Sequence, residues 1–228
     1  MSDATLMRLM ALTDSAFPVG TFSFSNGLET AADTGLVHDA ATLEAYAREM
    51  ARQAAFTDGV TALHAWRSYR RDDFDGIVGA DHRTILCKLN AEARLMSCRM
   101  GKKMAELFVR MTEEATVVRW LDEIAAGRTP GTYPVAQGIV FAACGIGERE
   151  LFCSQQYGAV NTVLNAALRC VRVSHYDTQR ILFRLSAETG ALYAEAAEME
   201  YDDMYAFAPQ LDIVASLHEK GDKRLFMN

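Results

Sequence analysis

The chain is expected to be all-α, a single-domain helical bundle with a mobile C-terminal tail, and three features of its 228 residues predict this. Apolar residues recur at intervals of three and four over long stretches. No convincing run alternates with the period of two that a half-buried strand requires. Half the residues are hydrophobic and 23% are charged, the balance of an ordinary folded protein. A chain of this length buries a sizeable core in one domain. Residues 1–228 are therefore read as one unit, with 218–228 as a docking tail.

The elements follow in order. Asp14 to Glu29 reads as an ordered recognition loop. Pro18 fixes its own φ and Gly20 can take backbone angles closed to other residues, so the chain turns there. Phe22 and Phe24 alternate with Ser23 and Ser25, which puts both aromatics on one face of an extended segment. Asn26 and Glu29 have capping-box spacing, so a helix is expected to follow with Glu29 reaching back to the cap. Asp39 is placed to cap a helix carrying Leu43, Tyr46, Ala47, Met50 and Ala54. Leu89, Ala93, Met96, Met100, Met104, Leu107, Phe108 and Met111 predict a long amphipathic helix, with Glu92, Arg99, Lys102 and Arg110 on its other faces.

Gly127, Pro130, Gly131 and Pro134 mark the clearest break, between a helix ending near Ala126 and another starting near Pro134. The flanks are apolar and need a shared core, so the break reads as a loop within the bundle. From Thr129 to Leu168 the only charges are Glu148, Arg149 and Glu150, and the two helical segments they separate are expected at the buried centre. The second carries Ser154, Gly158, Asn161 and Asn165 in steps of four, three and four, opposite Val160, Val163, Leu164, Ala167 and Leu168. Two readings of this small, polar stripe stay open: close helix packing with amide hydrogen bonds, or a face turned to a symmetry-related helix or a water-filled passage. Ser174-x-x-Asp177 predicts a capped start for a helix bearing Ile181, Leu182 and Leu185.

Composition excludes several classes of function. A formal net charge of −7 opposes phosphate backbones, so no nucleic-acid partner is expected. The cysteines, Cys87, Cys98, Cys144, Cys153 and Cys170, are scattered and without a Cys-x-x-Cys pair, which suggests free thiols in a reducing compartment. No secretory leader and no membrane span are read, and the expected location is the cytoplasm. Phosphate-binding, nucleophile-elbow, dinucleotide and zinc-protease motifs are all missing, so no catalytic residue is assigned. No metal ligand is assigned either. His82 with Cys87 and Cys170 with His175 lie five apart, a spacing that does not put two ligands on one helix face. His218 and Glu219 would serve a metal only together with a second chain. The charged link Lys220 to Arg224 closes on Leu225-Phe226-Met227, an apolar triplet that suggests a docking segment, on a partner rather than on its own bundle.

The run Pro18-Val19-Gly20, then Phe22-Ser23-Phe24-Ser25 and Gly27-Leu28-Glu29, resembles the N-terminal signature of urease accessory proteins of the UreF type. Leu211-Asp212-Ile213, His218-Glu219 and Arg224-Leu225-Phe226 resemble that family's C-terminal segment. Ala91 to Arg94, Tyr133-Pro134-Val135 and Gln179 to Leu182 fall where weaker motifs belong. Thr21, Asn26, Ser174-His175 and Asp222 depart from the usual pattern. The resemblance implies a non-enzymatic, homodimeric accessory protein. It would link a UreD/UreH-type protein to a UreG-type GTPase and regulate GTP-dependent nickel insertion into apo-urease, with no tightly bound cofactor and nickel at most in transit. It marks Pro18, Gly20, Phe22, Ser23, Ser25, Gly27, Leu28, Glu29 and Arg180 as candidate surface for the GTPase or the dimer centre. Asp212, His218, Glu219, Arg224, Leu225 and Phe226 are the candidate surface for the other accessory protein. Two alternatives remain: a nickel-carrying metallochaperone, and an all-α enzyme built on His175, Asp177 and Arg180.

Overall fold

The structure is a computed structural model that describes residues 1–20, 24–206, 208–218 and 225–226. Phe22, Ser23, Glu219 and Arg224, together with Thr21 and Asp222, lie outside the described residues. Among the described residues there are helices and turns and no strand. The helices are α1 (Asp3–Thr13), α2 (Leu28–Asp33), α3 (Ala40–Ala54), α4 (Val60–Arg70), α5 (Phe74–Leu86), α6 (Ala91–Thr112), α7 (Ala115–Ala125), α8 (Tyr133–Ala143), α9 (Glu148–Cys170), α10 (His175–Ser186), α11 (Thr189–Ala196) and α12 (Pro209–His218).

Local chemistry sets the boundaries. Asp39 and Thr42 form a reciprocal capping box on α3, as Ser174 and Asp177 do on α10. Asn90 caps the long α6 through a 2.7 Å bond to the Ala93 N–H, and Glu114 caps α7 at the Val117 N–H. A π turn over Ala55–Gly59 joins α3 to α4 and changes the direction of the buried face. At Gly59 a Cβ would lie 2.7 Å from the Phe152 ring, so the glycine lets α9 approach this turn.

The expected buried centre is only half realised. Helix α8 is enclosed, with Pro134 to Ala142 all buried between α4 and α6. Helix α9 is amphipathic instead: Val160, Val163, Leu164 and Ala167 face the core while Gly158 and Asn165 are exposed. Its length lets it join all three apolar clusters. Leu151 enters the cluster around α8 with Trp120 and Phe141, Phe152 enters one around the π turn with Phe56 and Leu63, and Val160 to Ala167 enter a third with Leu28, Leu43, Ile181 and Leu211.

The loop between α7 and α8 is held by one carboxylate. Asp81 of α5 is fully buried and accepts from the Thr129 hydroxyl (2.7 Å), the Gly131 N–H (2.8 Å), the Thr132 N–H (2.8 Å) and the Thr132 hydroxyl. Buried ionic groups need partners of this kind.

Candidate functional site

The two terminal signature segments meet at α2. The chain enters through a turn in which the Asp14 side chain accepts from the Ala16 N–H at 2.7 Å. Pro18 and Gly20 are exposed, Gly20 at φ +93°, while Val19 and Phe24 anchor the turn in the core. Asn26 and Gly27 then both take left-handed conformations, at φ +54° and +78°. This overturns the expected capping box. Gly27, not Asn26, is the cap residue, and it has no side chain to offer. The Ser25 hydroxyl faces the Glu29 N–H instead, at a marginal 3.5 Å. Tyr46 donates to the Asn26 carbonyl at 2.7 Å, and burial pushes its phenol well up from the ordinary value. Gly27 is required twice over: a Cβ would sit 3.0 Å from the Ala215 backbone nitrogen, where α12 crosses.

Freed from capping, Glu29 turns inward and is 4% exposed. Its Oε1 accepts from the Leu225 N–H at 2.7 Å, and its Oε2 from the Phe226 N–H at 3.2 Å. His218 Nε2 lies 2.9 Å from the same Oε2, and His218 Nδ1 lies 3.0 Å from Glu92 Oε2. His218, at 3% exposure, is thus a buried link between α2 and α6 and not a solvated helix end. Charge-assisted bonds of this kind are the stronger ones. Phe226 is buried in the α2–α9–α12 cluster, 5.4 Å beneath the Arg169 guanidinium, so the described part of the apolar triplet docks on its own bundle. Leu225 stays 68% exposed.

The start of α12 is fixed from α3. Gln53 donates to Asp212 at 3.3 Å and accepts from the Ala208 N–H at 3.1 Å. Burial raises the Asp212 carboxyl above its usual range, against the hydrogen bond from Gln53. Close by, burial pushes the Cys170 thiol to about 11, with the negative charges of Glu29 and Asp33 adding to it.

Of the residues marked by sequence, the structure gathers Ser25, Gly27, Leu28, Glu29, Asp212, His218, Leu225 and Phe226 around this hub. Arg180 stands apart on the outer face of α10, its guanidinium 3.9 Å from Asp177. The α9 stripe, with Arg169 of the same helix, lines a groove of about 200 Å³ that Leu12, Met96 and Asp212 line from other elements. Only Ser154 among the four stripe residues is buried, sharing a 2.8 Å bond with the Thr13 hydroxyl. At Gly158 nothing comes within 4 Å of where a Cβ would be, so close packing does not explain that glycine.

Sequence reasoning missed Glu92 and Gln53. Glu92 was legible in principle, since it sits four residues before Met96 and eight before Met100 and so begins the buried stripe of α6. Among the described residues, no group of three or more His, Cys, Asp or Glu side chains is arranged to hold a metal ion. No helix among them is long and apolar enough to cross a membrane.

Fold and site together define an all-α helical protein whose N- and C-terminal segments are tied by a buried polar hub. The UreF family model matches residues 37–186. A urease accessory protein UreF of Yersinia pseudotuberculosis is 44% identical over 229 aligned residues, covering all of both chains, and one of Yersinia enterocolitica matches equally. The chain belongs to the UreF family.

Proposed function

We propose that this chain is a non-enzymatic scaffold of urease maturation. It joins a UreD/UreH-type accessory protein to a UreG-type GTPase and regulates GTP-dependent delivery of nickel, its cargo, to apo-urease. The observation that carries the reading is the hub itself: Glu29 holds the N-terminal signature and the end of the C-terminal one in a single place. Around it Ile213, Leu217 and Leu225 present 55%, 49% and 68% of their surface to solvent. Exposed apolar side chains grouped in this way suit a protein partner. We assign this surface to the UreD/UreH-type protein.

The GTPase or a second copy takes the other surfaces. The exposed Pro18 and Gly20 of the N-terminal turn and the outer face of α10, with Arg180, are available for them. On α10 Tyr176 is 83% exposed, and Phe183, 81% exposed, lines a groove of about 520 Å³ shared by α9, α10 and α11. Large aromatics at this exposure support a homodimer. The open groove along Ser154, Gly158, Asn161 and Asn165 supports the passage reading of the α9 stripe.

The test is size-exclusion light scattering of the chain mixed with its UreD/UreH-type and UreG-type partners, with and without GTP and nickel. The scaffold reading expects a stable complex holding two copies of this chain. No complex, combined with tight nickel binding by the chain alone, would replace it with a metallochaperone.

A further inference from the structure

We infer that Glu29, His218 and Glu92 form a proton-dependent latch which sets how firmly the C-terminal segment docks. This deepens the scaffold reading, because the latched segment carries the surface assigned above to the accessory protein. The argument is one of stoichiometry. Both ring nitrogens of His218 lie within hydrogen-bond distance of a carboxylate oxygen, 2.9 Å to Glu29 and 3.0 Å to Glu92, and the ring is 3% exposed. A neutral imidazole carries one N–H and one lone pair. With two ionised carboxylates it satisfies one contact and sets lone pair against lone pair at the other, at a site with almost no water. The closed arrangement therefore holds one proton more, taken from solvent, which makes both ring nitrogens donors or one carboxyl a donor.

The two carboxylates on the ring favour that proton. Glu29 faces the ring from α2 and Glu92 from α6, with Asp33 of α2 near Cys170 and Asp212 of α12 near Tyr46. From α9 the Arg169 guanidinium, 5.4 Å from the Phe226 ring, keeps its charge and works against that proton, while Cys170, raised by burial, is neutral. From α3, Tyr46 is neutral and bonded to Asn26. Glu29 in turn accepts the Leu225 and Phe226 N–H groups, so the proton on the ring and the docking of those two residues share one carboxylate. An imidazole released to solvent keeps its second proton only below about pH 6.5. Above that value closing the latch consumes a proton, and the closing constant falls about tenfold for each pH unit.

The experiment uses the full chain with 15N-labelled histidine rings, followed by NMR from about pH 6 to pH 8.5, together with exchange protection of the Leu225 and Phe226 amides corrected for intrinsic rates. The latch predicts a ring that keeps both N–H protons above the ordinary histidine range, and amide protection falling about tenfold per pH unit. Glu92→Gln is the decisive variant. Its side-chain amide can donate to the Nδ1 lone pair while neutral His218 donates to Glu29, so docking persists and the pH slope disappears. Protection that is flat with pH in the unaltered protein, or an unchanged slope in Glu92→Gln, overturns the latch. Titration with the UreD/UreH-type protein at both ends of the range separates the two ideas. A complex with no slope in protection sinks the latch alone, and a slope with no complex at any pH sinks the scaffold reading alone.

Discussion

Gly27 and Asp81 show how much rests on single positions that pattern analysis passes over. At Gly27 the backbone is left-handed and the Ala215 backbone is in contact range, so Gly27→Ala combines conformational strain with displacement of α12. The expected cost is about 2 kcal/mol, read as a lower urea midpoint with an unchanged slope. Asp81→Asn replaces one carboxylate oxygen by an N–H₂ facing two donors from the α7–α8 loop. A loss of about 3 kcal/mol is expected; a midpoint shift under about 0.5 kcal/mol would mean that the loop is held by something else. Sequence reasoning found Glu29 because of its motif and gave it the wrong task. A carboxylate three residues after an Asn suits a capping box, and only the left-handed pair Asn26-Gly27 turns it toward the C-terminal segment.

At the level of elements, the helices were the legible part. The caps at Asp39 and Ser174, the long α6 and the break before Pro134 stand where period and punctuation put them. Helix α9 was misjudged because low charge was taken for burial, whereas small and amide side chains line an open groove just as well. Asn165→Leu is expected to leave helicity intact and to weaken urease activation; full activation with an intact dimer would end the passage reading. Acid should loosen the same helices. Hydrogen bonds from Thr42 and Ser174 hold the Asp39 and Asp177 carboxyls below the usual range. At Glu148 burial acts upward but is outweighed by Arg67 and Tyr193, and at Glu44 likewise by Arg184 and Arg48. Groups whose carboxyl is lowered on folding contribute stability above their unfolded value, and that stability is lost as pH falls through the folded one. The urea midpoint should therefore hold from about pH 6 to 5 and drop below about pH 4; Asp212, raised by burial, runs the other way.

For the whole molecule, the family was readable from the two ends of the chain, while their meeting was not. The partners at Glu29 lie 189 to 197 positions away in sequence, beyond the reach of any local pattern. Helix α10 was legible in its cap, in its apolar residues Ile181, Leu182 and Leu185 and in Arg180 as candidate surface, but not in the exposure of Tyr176 and Phe183. Its exposed aromatics lead to the expectation that Phe183→Asp gives a monomer by light scattering with unchanged helicity. A dimer retained in that variant would move the interface elsewhere.

Helix α9 crosses all three apolar clusters, so none of them can come apart while the other two keep their full complement of side chains. Heat should therefore melt the isolated chain in one cooperative transition, with equal calorimetric and van't Hoff enthalpies. Cells handling this protein would then meet it either whole or fully opened, with few half-built species exposing sticky surface.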